Sequence, residues 1–289
     1  MNLEYKKILY LYIDINKFEY EFKVHEDLWK YVGGVGVGYR LLFDNFDESP
    51  IIVTCGPLSG YFPYVSKCNL LYLKNGRFVE KYGGGTIASS MNFLGIDGIV
   101  IFGKTDNFIN VSIYDQEVTF STEDKREFSK RNSDMTITGN SVTSRGYFSF
   151  GNISEHQIDI NGGVSLNIDA TKSLDLKNFY DYENIYNSFL ERYRELTVEP
   201  RNNPSCFGCP MGCDNSSAGE DGLNIAVLPR TLISCGYAED LFKDIPNVYA
   251  ALNSVGYRYH HSHLENLPGL VGQLKTSISE LLSKNIETK

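Results

Sequence analysis

Cys206, Cys209 and Cys213 fall within eight residues in the stretch "SCFGCPMGCDNS". Spacing of the C-x2-C-x3-C kind lets one turn present two thiolates to a single metal centre while a third closes from the next turn. Gly208, Pro210 and Gly212 fit a tight loop of that sort, in which unusual backbone angles leave amide N–H groups free to bond to sulfide. An iron–sulfur cluster asks for four ligands, and the cysteine downstream is Cys235 in "TLISCGYAED". A structural zinc completed by a histidine is the alternative, and three cysteines that merely pack is the blander one.

Other stretches could carry chemistry. "YGGGTIASS", with Gly83, Gly84 and Gly85, could cradle an anion before a helix, although no Walker lysine follows it. In "GGVGVG" the glycines Gly34, Gly36 and Gly38 lack dinucleotide-fingerprint spacing and follow a helical pattern, so close helix packing is its plain reading. His260, His261 and His263 in "RYHHSHLEN" could bind a metal, yet read more simply as surface residues. Glu239 and Asp240 suit an acidic helix start, and Cys55 and Cys68 suit buried thiols acting as small hydrophobes.

Positioning these residues requires a sizeable fold, and 289 residues allow one, in one or two domains. A formal net charge of -9 and short, acid-mixed basic runs argue against nucleic acid as a partner. No run approaches the ~18 apolar residues of a membrane helix, so no membrane partner is expected. Asp14 interrupts the first apolar run and no cleavage site follows, which reads as a first strand in a cytoplasmic protein, and six unevenly placed cysteines fit a reducing compartment. Short runs rich in aromatic and β-branched residues, from "KILYLYIDI" and "FEYEFKV" to "EVTFST", predict strands, and Asn75-Gly76 predicts a type I′ hairpin. Residues 121 to 135 read as a solvated linker or frayed helix. Later, "YENIYNSFLERYREL" and "PGLVGQLKTSISELLSKNI" change to helical period, the second with its proline at the helix start. The expected architecture is α+β: a β-rich domain over 1–176 and a shorter helical region over 177–289 that carries the cysteine motif.

Four ordered segments resemble the aldehyde ferredoxin oxidoreductases. They are "YVGGVGVGYRLLFD" at 31–44, "TCGPLSG" at 54–60, "GGTIASSMNFLGIDGIVIFGKT" at 84–105 and the cysteine loop. The resemblance implies a tungsten- or molybdenum-bis-pterin enzyme that oxidises aldehydes to carboxylic acids and passes electrons through a 4Fe-4S cluster to ferredoxin or a similar acceptor. It implies cofactor contacts at Gly83, Gly84 and Gly85 and, in "INGG" at 160–163, at Gly162 and Gly163, with Cys206, Cys209, Cys213 and, less directly, Cys235 as metal ligands. The chain also departs from the family. Val35 and Asn161 stand where arginines are usual and Tyr82 where an asparagine is, and "NSVGYR" at 253–258 keeps neither aspartate of the family's pterin motif. Family members are longer, so the second pterin motif is expected from a second polypeptide, and the fourth cluster ligand from Cys235, from a partner chain or from solvent, or not at all. A non-catalytic iron–sulfur paralogue and a zinc-stabilised scaffold are the competing expectations. Cys209→Ser is expected to abolish the iron of anaerobically purified protein and Cys235→Ser to leave most of it; equal loss from both would make Cys235 a ligand of equal rank.

Overall fold

A computed structural model describes residues 4–14, 17–122, 132–144, 148–149, 158–160, 162–170, 176, 179–192, 220–221, 226–233 and 235–287. Two sheets and a layer of helices stack as three layers. The seven-stranded sheet is built from β1 (Lys6–Asp14), β2 (Lys17–His25), β3 (Ile51–Cys55), β4 (Cys68–Lys74), β5 (Arg77–Gly83), β6 (Gly98–Phe102) and β13 (Glu220–Asp221). Its order is β13-β5-β4-β3-β6-β1-β2, antiparallel except where β1 runs parallel to β6. β7 (Phe108–Tyr114), β8 (Glu117–Ser121), β9 (Asn132–Thr138), β10 (Val142–Ser144), β11 (Phe148–Ser149) and β12 (Gly163–Asp169) form the second sheet in the order β11-β10-β9-β12-β7-β8.

The period of two along β1 explains the layering. Leu9, Leu11 and Ile13 face the second sheet, where they join Val53, Leu70, Ile99, Val111, Ile137 and Leu166 in one core. Ile8 and Tyr10 face the other way, into a core shared with the helices. A sheet covered on both faces reads as a near-continuous apolar run, as "KILYLYI" does. The hairpin between β4 and β5 turns at Asn75 and Gly76, whose φ values of 50° and 70° are those a type I′ turn needs.

The helical layer starts with α1 (Gly34–Asp44), which packs on β3 and β4. Four of the later helices, α3 (Phe179–Glu191), α4 (Val227–Leu232), α6 (Ile245–Ser254) and α7 (His261–Glu287), close over α1 or over one another. The short α2 (Ile87–Phe93) sits instead between the sheets, and α5 (Glu239–Lys243) links α4 to α6. Two expectations shift. The last helix begins at His261, so Pro268 lies inside it rather than at its start; Leu264 and Leu267, fully buried in the helical core, hold the preceding turns helical although proline supplies no N–H there. Residues 132–135, expected in a linker, form the first part of β9 because Met135 pairs with Leu166 inside the sandwich.

α4 is fixed to the sheet by a buried polar network. Glu80 on β5 accepts Nε of Arg230 at 2.9 Å through Oε1 and Nη2 of Arg230 through Oε2, a two-pronged pair. The Tyr82 hydroxyl donates to the same carboxylate at 2.7 Å, the Tyr39 hydroxyl donates to it as well, and Arg230 Nη2 reaches the Tyr39 oxygen at 2.8 Å. Glu80 and Arg230 are 3% and 5% exposed, so each charge depends on the other. Burial opposes the Arg230 charge, but Glu80 outweighs it and raises the guanidinium's pKa above its ordinary value. Burial, with Glu80 beside them, pushes the Tyr39 and Tyr82 hydroxyls up. Arg230→Met should lower the free energy of urea unfolding by about 3–5 kcal/mol because it strands a buried carboxylate. Glu80→Gln should cost a similar amount, and the double variant less than the sum; losses that add to within about 0.5 kcal/mol would mean that the two side chains do not act as a unit.

Candidate functional site

Gly83, Gly84 and Gly85 close β5 and lead into α2, with Gly85 at φ 80°. Gly83 pairs with Cys68 of β4, whose thiol donates to the Gly83 carbonyl at 3.6 Å. The hydroxyls that would greet an anion here are spent on one another: Ser133 donates to Thr86 at 2.7 Å and shares a 2.6 Å bond with Ser90, while Ser89 donates to the Thr86 carbonyl at 2.8 Å. Gly162 and Gly163 start β12 beside β7. A methyl group on Gly162 would lie 2.1 Å from the Asn107 carbonyl oxygen, and one on Gly163 would lie 2.8 Å from the Phe108 ring. Sheet packing therefore requires these two glycines with or without a ligand.

The glycines of "GGVGVG" and "TCGPLSG" serve packing too. A side chain on Gly34 would meet the Arg230 carbonyl oxygen at 2.5 Å, and one on Gly56 would meet that of Leu232 at 2.0 Å. The backbone of α4 lies directly on them. Tyr82, which stands in the position of the family's asparagine, is 1% exposed and turns its hydroxyl to Glu80. In "NSVGYR", Asn253 and Arg258 are exposed, and Asn253 donates to the Tyr249 carbonyl at 2.9 Å. Tyr257 and Tyr259, which flank Arg258, point inward to Lys6, whose ammonium lies 4.9 Å from the Tyr257 ring and 3.1 Å from Asp97. Measured against a bis-pterin, the described residues do not fit: Gly162 and Gly163 are covered by Asn107 and Phe108, and the hydroxyls after Gly85 are paired with one another.

Cys206, Cys209 and Cys213 lie outside the described residues, as does Asn161. Cys235 is half-buried and its amide donates to the Tyr64 carbonyl at 2.6 Å. Among the described residues no three His, Cys, Asp or Glu side chains gather to hold a metal. The histidines spread apart: His260 is exposed, His261 lies 4.8 Å from the Tyr249 ring, and His263 stands edge-on to Trp29 with Nε2 3.0 Å from the Lys30 carbonyl. Glu239 accepts the amide of Ala226 at 2.8 Å and pairs with Lys243, the work of an acid at a helix start. Cys55 and Cys68 are buried and directly opposite each other across β3 and β4. Burial pushes the Cys55 thiol well up, so it stays a neutral packing group.

The Glu80 network was not among the expected site residues. Its partners are 150 residues apart in the chain, and the one local signal was an arginine within the otherwise apolar "VLPRTLI", which requires a buried carboxylate somewhere. A cleft of about 830 Å³ lies elsewhere, between the β4–β5 turn and the end of α7, and is lined by Lys74, Lys104, Asp159, Glu48, Tyr72 and Asn285 among others. None of the candidate glycines or cysteines borders it. No helix among the described residues is long and apolar enough to cross a membrane.

Comparison with known proteins places this geometry. The solved structure titled the active site complex BamBC of benzoyl coenzyme A reductase in complex with 1,5-dienoyl-CoA superposes at a TM-score of 0.56 with 13% identity, which is a likeness of fold. The match covers 96% of this chain and 62% of that one, so the present chain corresponds to under two thirds of its structural neighbour. Residues 10–143, which run from within β1 through β9 into β10 with α1 and α2 between, match the family model for the N-terminal domain of aldehyde ferredoxin oxidoreductase. Residues 10–143 are thus similar to the N-terminal domain of aldehyde ferredoxin oxidoreductase, in an α+β fold that continues from this β-rich part into helices.

Proposed function

We propose that this chain is a redox subunit of the aldehyde ferredoxin oxidoreductase type that works with a second polypeptide and does not oxidise an aldehyde alone. In this reading Cys206, Cys209 and Cys213 hold a 4Fe-4S cluster, with Cys235 or a partner residue as the fourth ligand. The assembly would convert an aldehyde and water to a carboxylic acid with release of two protons and two electrons, and a cluster held by these cysteines would supply the electrons' route to a ferredoxin-like acceptor in the cytoplasm. The family relationship implies a tungsten-pterin cofactor; in this reading the second polypeptide supplies its cradle. The observation that carries the proposal is Tyr82, buried and donating to Glu80, in a chain whose Gly162 and Gly163 are covered by its own backbone and a ring and whose hydroxyls after Gly85 bond to one another. Each charge-assisted hydrogen bond that a phosphate-bearing cofactor would forgo here costs about 1.5–3 kcal/mol. That the similar solved structure is titled a complex supports a partner polypeptide.

A second reading, an electron-transfer subunit with a cluster and no aldehyde chemistry, is favoured by the same covering of Gly162 and Gly163. Elemental analysis after anaerobic purification separates the two. The isolated chain is expected to be brown, to bleach with dithionite, to contain iron without tungsten or molybdenum, and to reduce no artificial acceptor with an aldehyde. Turnover that appears on adding a co-purifying polypeptide carrying tungsten or molybdenum would support the first reading, and iron without activity in any combination the second. Turnover by the single chain with bound tungsten or molybdenum would overturn both, and stoichiometric zinc in colourless protein would replace them with a scaffold.

A further inference from the structure

β2 ends the seven-stranded sheet and β8 ends the six-stranded sheet, and their aromatic rings meet: Phe18 stacks on Phe120 at 5.6 Å, with Tyr20 6.5 Å from the same ring. Phe18, Tyr20, Phe22 and Val24 stand opposite Ile13, Leu11, Leu9 and Lys7 of β1, so the apolar face that lines the core between the sheets continues onto the outermost strand. There it runs into solvent, with Tyr20 42% and Val24 60% exposed. Among the described residues no strand pairs with the outer side of β2. An open edge with exposed aromatic and β-branched side chains is a template for another strand.

Charge selects which strand. The other face of β2 reads Lys17, Glu19, Glu21, Lys23, His25, all but the histidine well exposed, with Lys17 2.7 Å from Glu19 and Lys23 2.9 Å from Glu21. We propose that β2 docks onto β2 of a second copy of the chain, antiparallel, about a two-fold axis at Phe22. That register sets Glu21 against Lys23 and Lys23 against Glu21, Tyr20 against Val24, Glu19 against His25, and Phe22 against itself. Neighbouring registers fail on charge. An axis at Tyr20 opposes Lys17 to Lys23 and Glu19 to Glu21, axes at Glu19 or Glu21 oppose glutamates, and an axis at Lys23 opposes lysines. Like charges directly opposite are destabilising and unlike charges stabilising. The lysines that discourage pairing with an arbitrary strand thus become the register code for this one. An axis normal to the sheet keeps both apolar faces on the same side, so Tyr20 and Val24 of one copy cover Val24 and Tyr20 of the other.

Sedimentation velocity on the full chain over the micromolar range tests this. Wild-type protein is expected to form a dimer. Glu21→Lys, a change at an exposed site that should leave the circular dichroism and thermal unfolding unaltered, is expected to raise the dissociation constant about tenfold or more, because two attractive pairs become two repulsive ones. Glu21→Lys with Lys23→Glu restores opposite charges and should return the wild-type constant. Wild-type protein that stays monomeric would overturn the proposal. So would a dimer indifferent to Glu21→Lys, which would form through another surface or another partner strand, or a double variant that fails to recover.

Discussion

Glu80 collects four hydrogen bonds from three side chains on two helices and its own strand, and the helical layer is arranged around that convergence. A lone carboxylate at 3% exposure would be intolerable, and so would the guanidinium opposite it. Their two-pronged contact therefore fixes both the position and the rotation of α4. Once α4 is fixed, its backbone presses onto the start of α1 and onto the turn after β3, which only glycine permits. A side chain on Gly34 or Gly56 would lie 2.5 Å or 2.0 Å from an α4 carbonyl oxygen. The buried pair and the glycine segments are two halves of one constraint: the charges draw the helix in, and the missing side chains let it arrive.

The same constraint decides what this face can do chemically. A hydroxyl or amide serves a cofactor only while its bonds are unspent, and the network spends those of Tyr39 and Tyr82. The segment at 253–258 is committed in the same way at the other end of the layer. There Lys6, fully buried, pairs with Asp97 and sits over the Tyr257 ring, while Tyr259 stacks on Trp29 at 4.9 Å. Burial opposes the Lys6 charge and Asp97 more than offsets it, so the ammonium's pKa is raised. The helices are thus held to the seven-stranded sheet at two points: an ion pair joins α4 to β5, and the Tyr257 ring in the α6–α7 connection covers Lys6 of β1, whose charge is paired with Asp97 just before β6.

Some of this was legible in the sequence and some was not, for physical reasons. Strands such as Lys6–Asp14 and the hairpin at Asn75-Gly76 rest on local preferences, side-chain shape and positive φ, which a short window contains. The start of α7 was misplaced because proline's local preference for a helix start yields to the burial of Leu264 and Leu267 one turn earlier. The start of β9 was read as linker because its first residues follow a charged run, and their strand state comes from pairing with β12 some thirty residues on. Glu80 and Arg230 are each ordinary in their own windows. Only the fold, bringing together positions 150 apart, turns them into a pair, and no periodicity encodes that. The cysteine triplet is the reverse case: its chemistry is wholly local in sequence, while its residues lie outside those described.

A layer held at both ends leaves the chain little room to reshape its inner faces for a large ligand, since lifting α4 would break the buried Glu80–Arg230 pair and lifting the α6–α7 connection would uncover Lys6 and the Tyr257 and Tyr259 rings. The surfaces it can offer at small energetic cost are those whose bonds are not yet made. Breaking the Glu80 pair costs about 3–5 kcal/mol, whereas covering the open side of β2 forms backbone hydrogen bonds and buries Tyr20 and Val24 without breaking any described contact of the core. Energetics therefore steer this molecule outward. New function on such a scaffold is reached more readily by adding polypeptide to its edges than by opening its core. That fits a chain whose residues 10–143 match the N-terminal domain of aldehyde ferredoxin oxidoreductase while its own backbone and a ring cover Gly162 and Gly163, two of the places where the resemblance puts a cofactor.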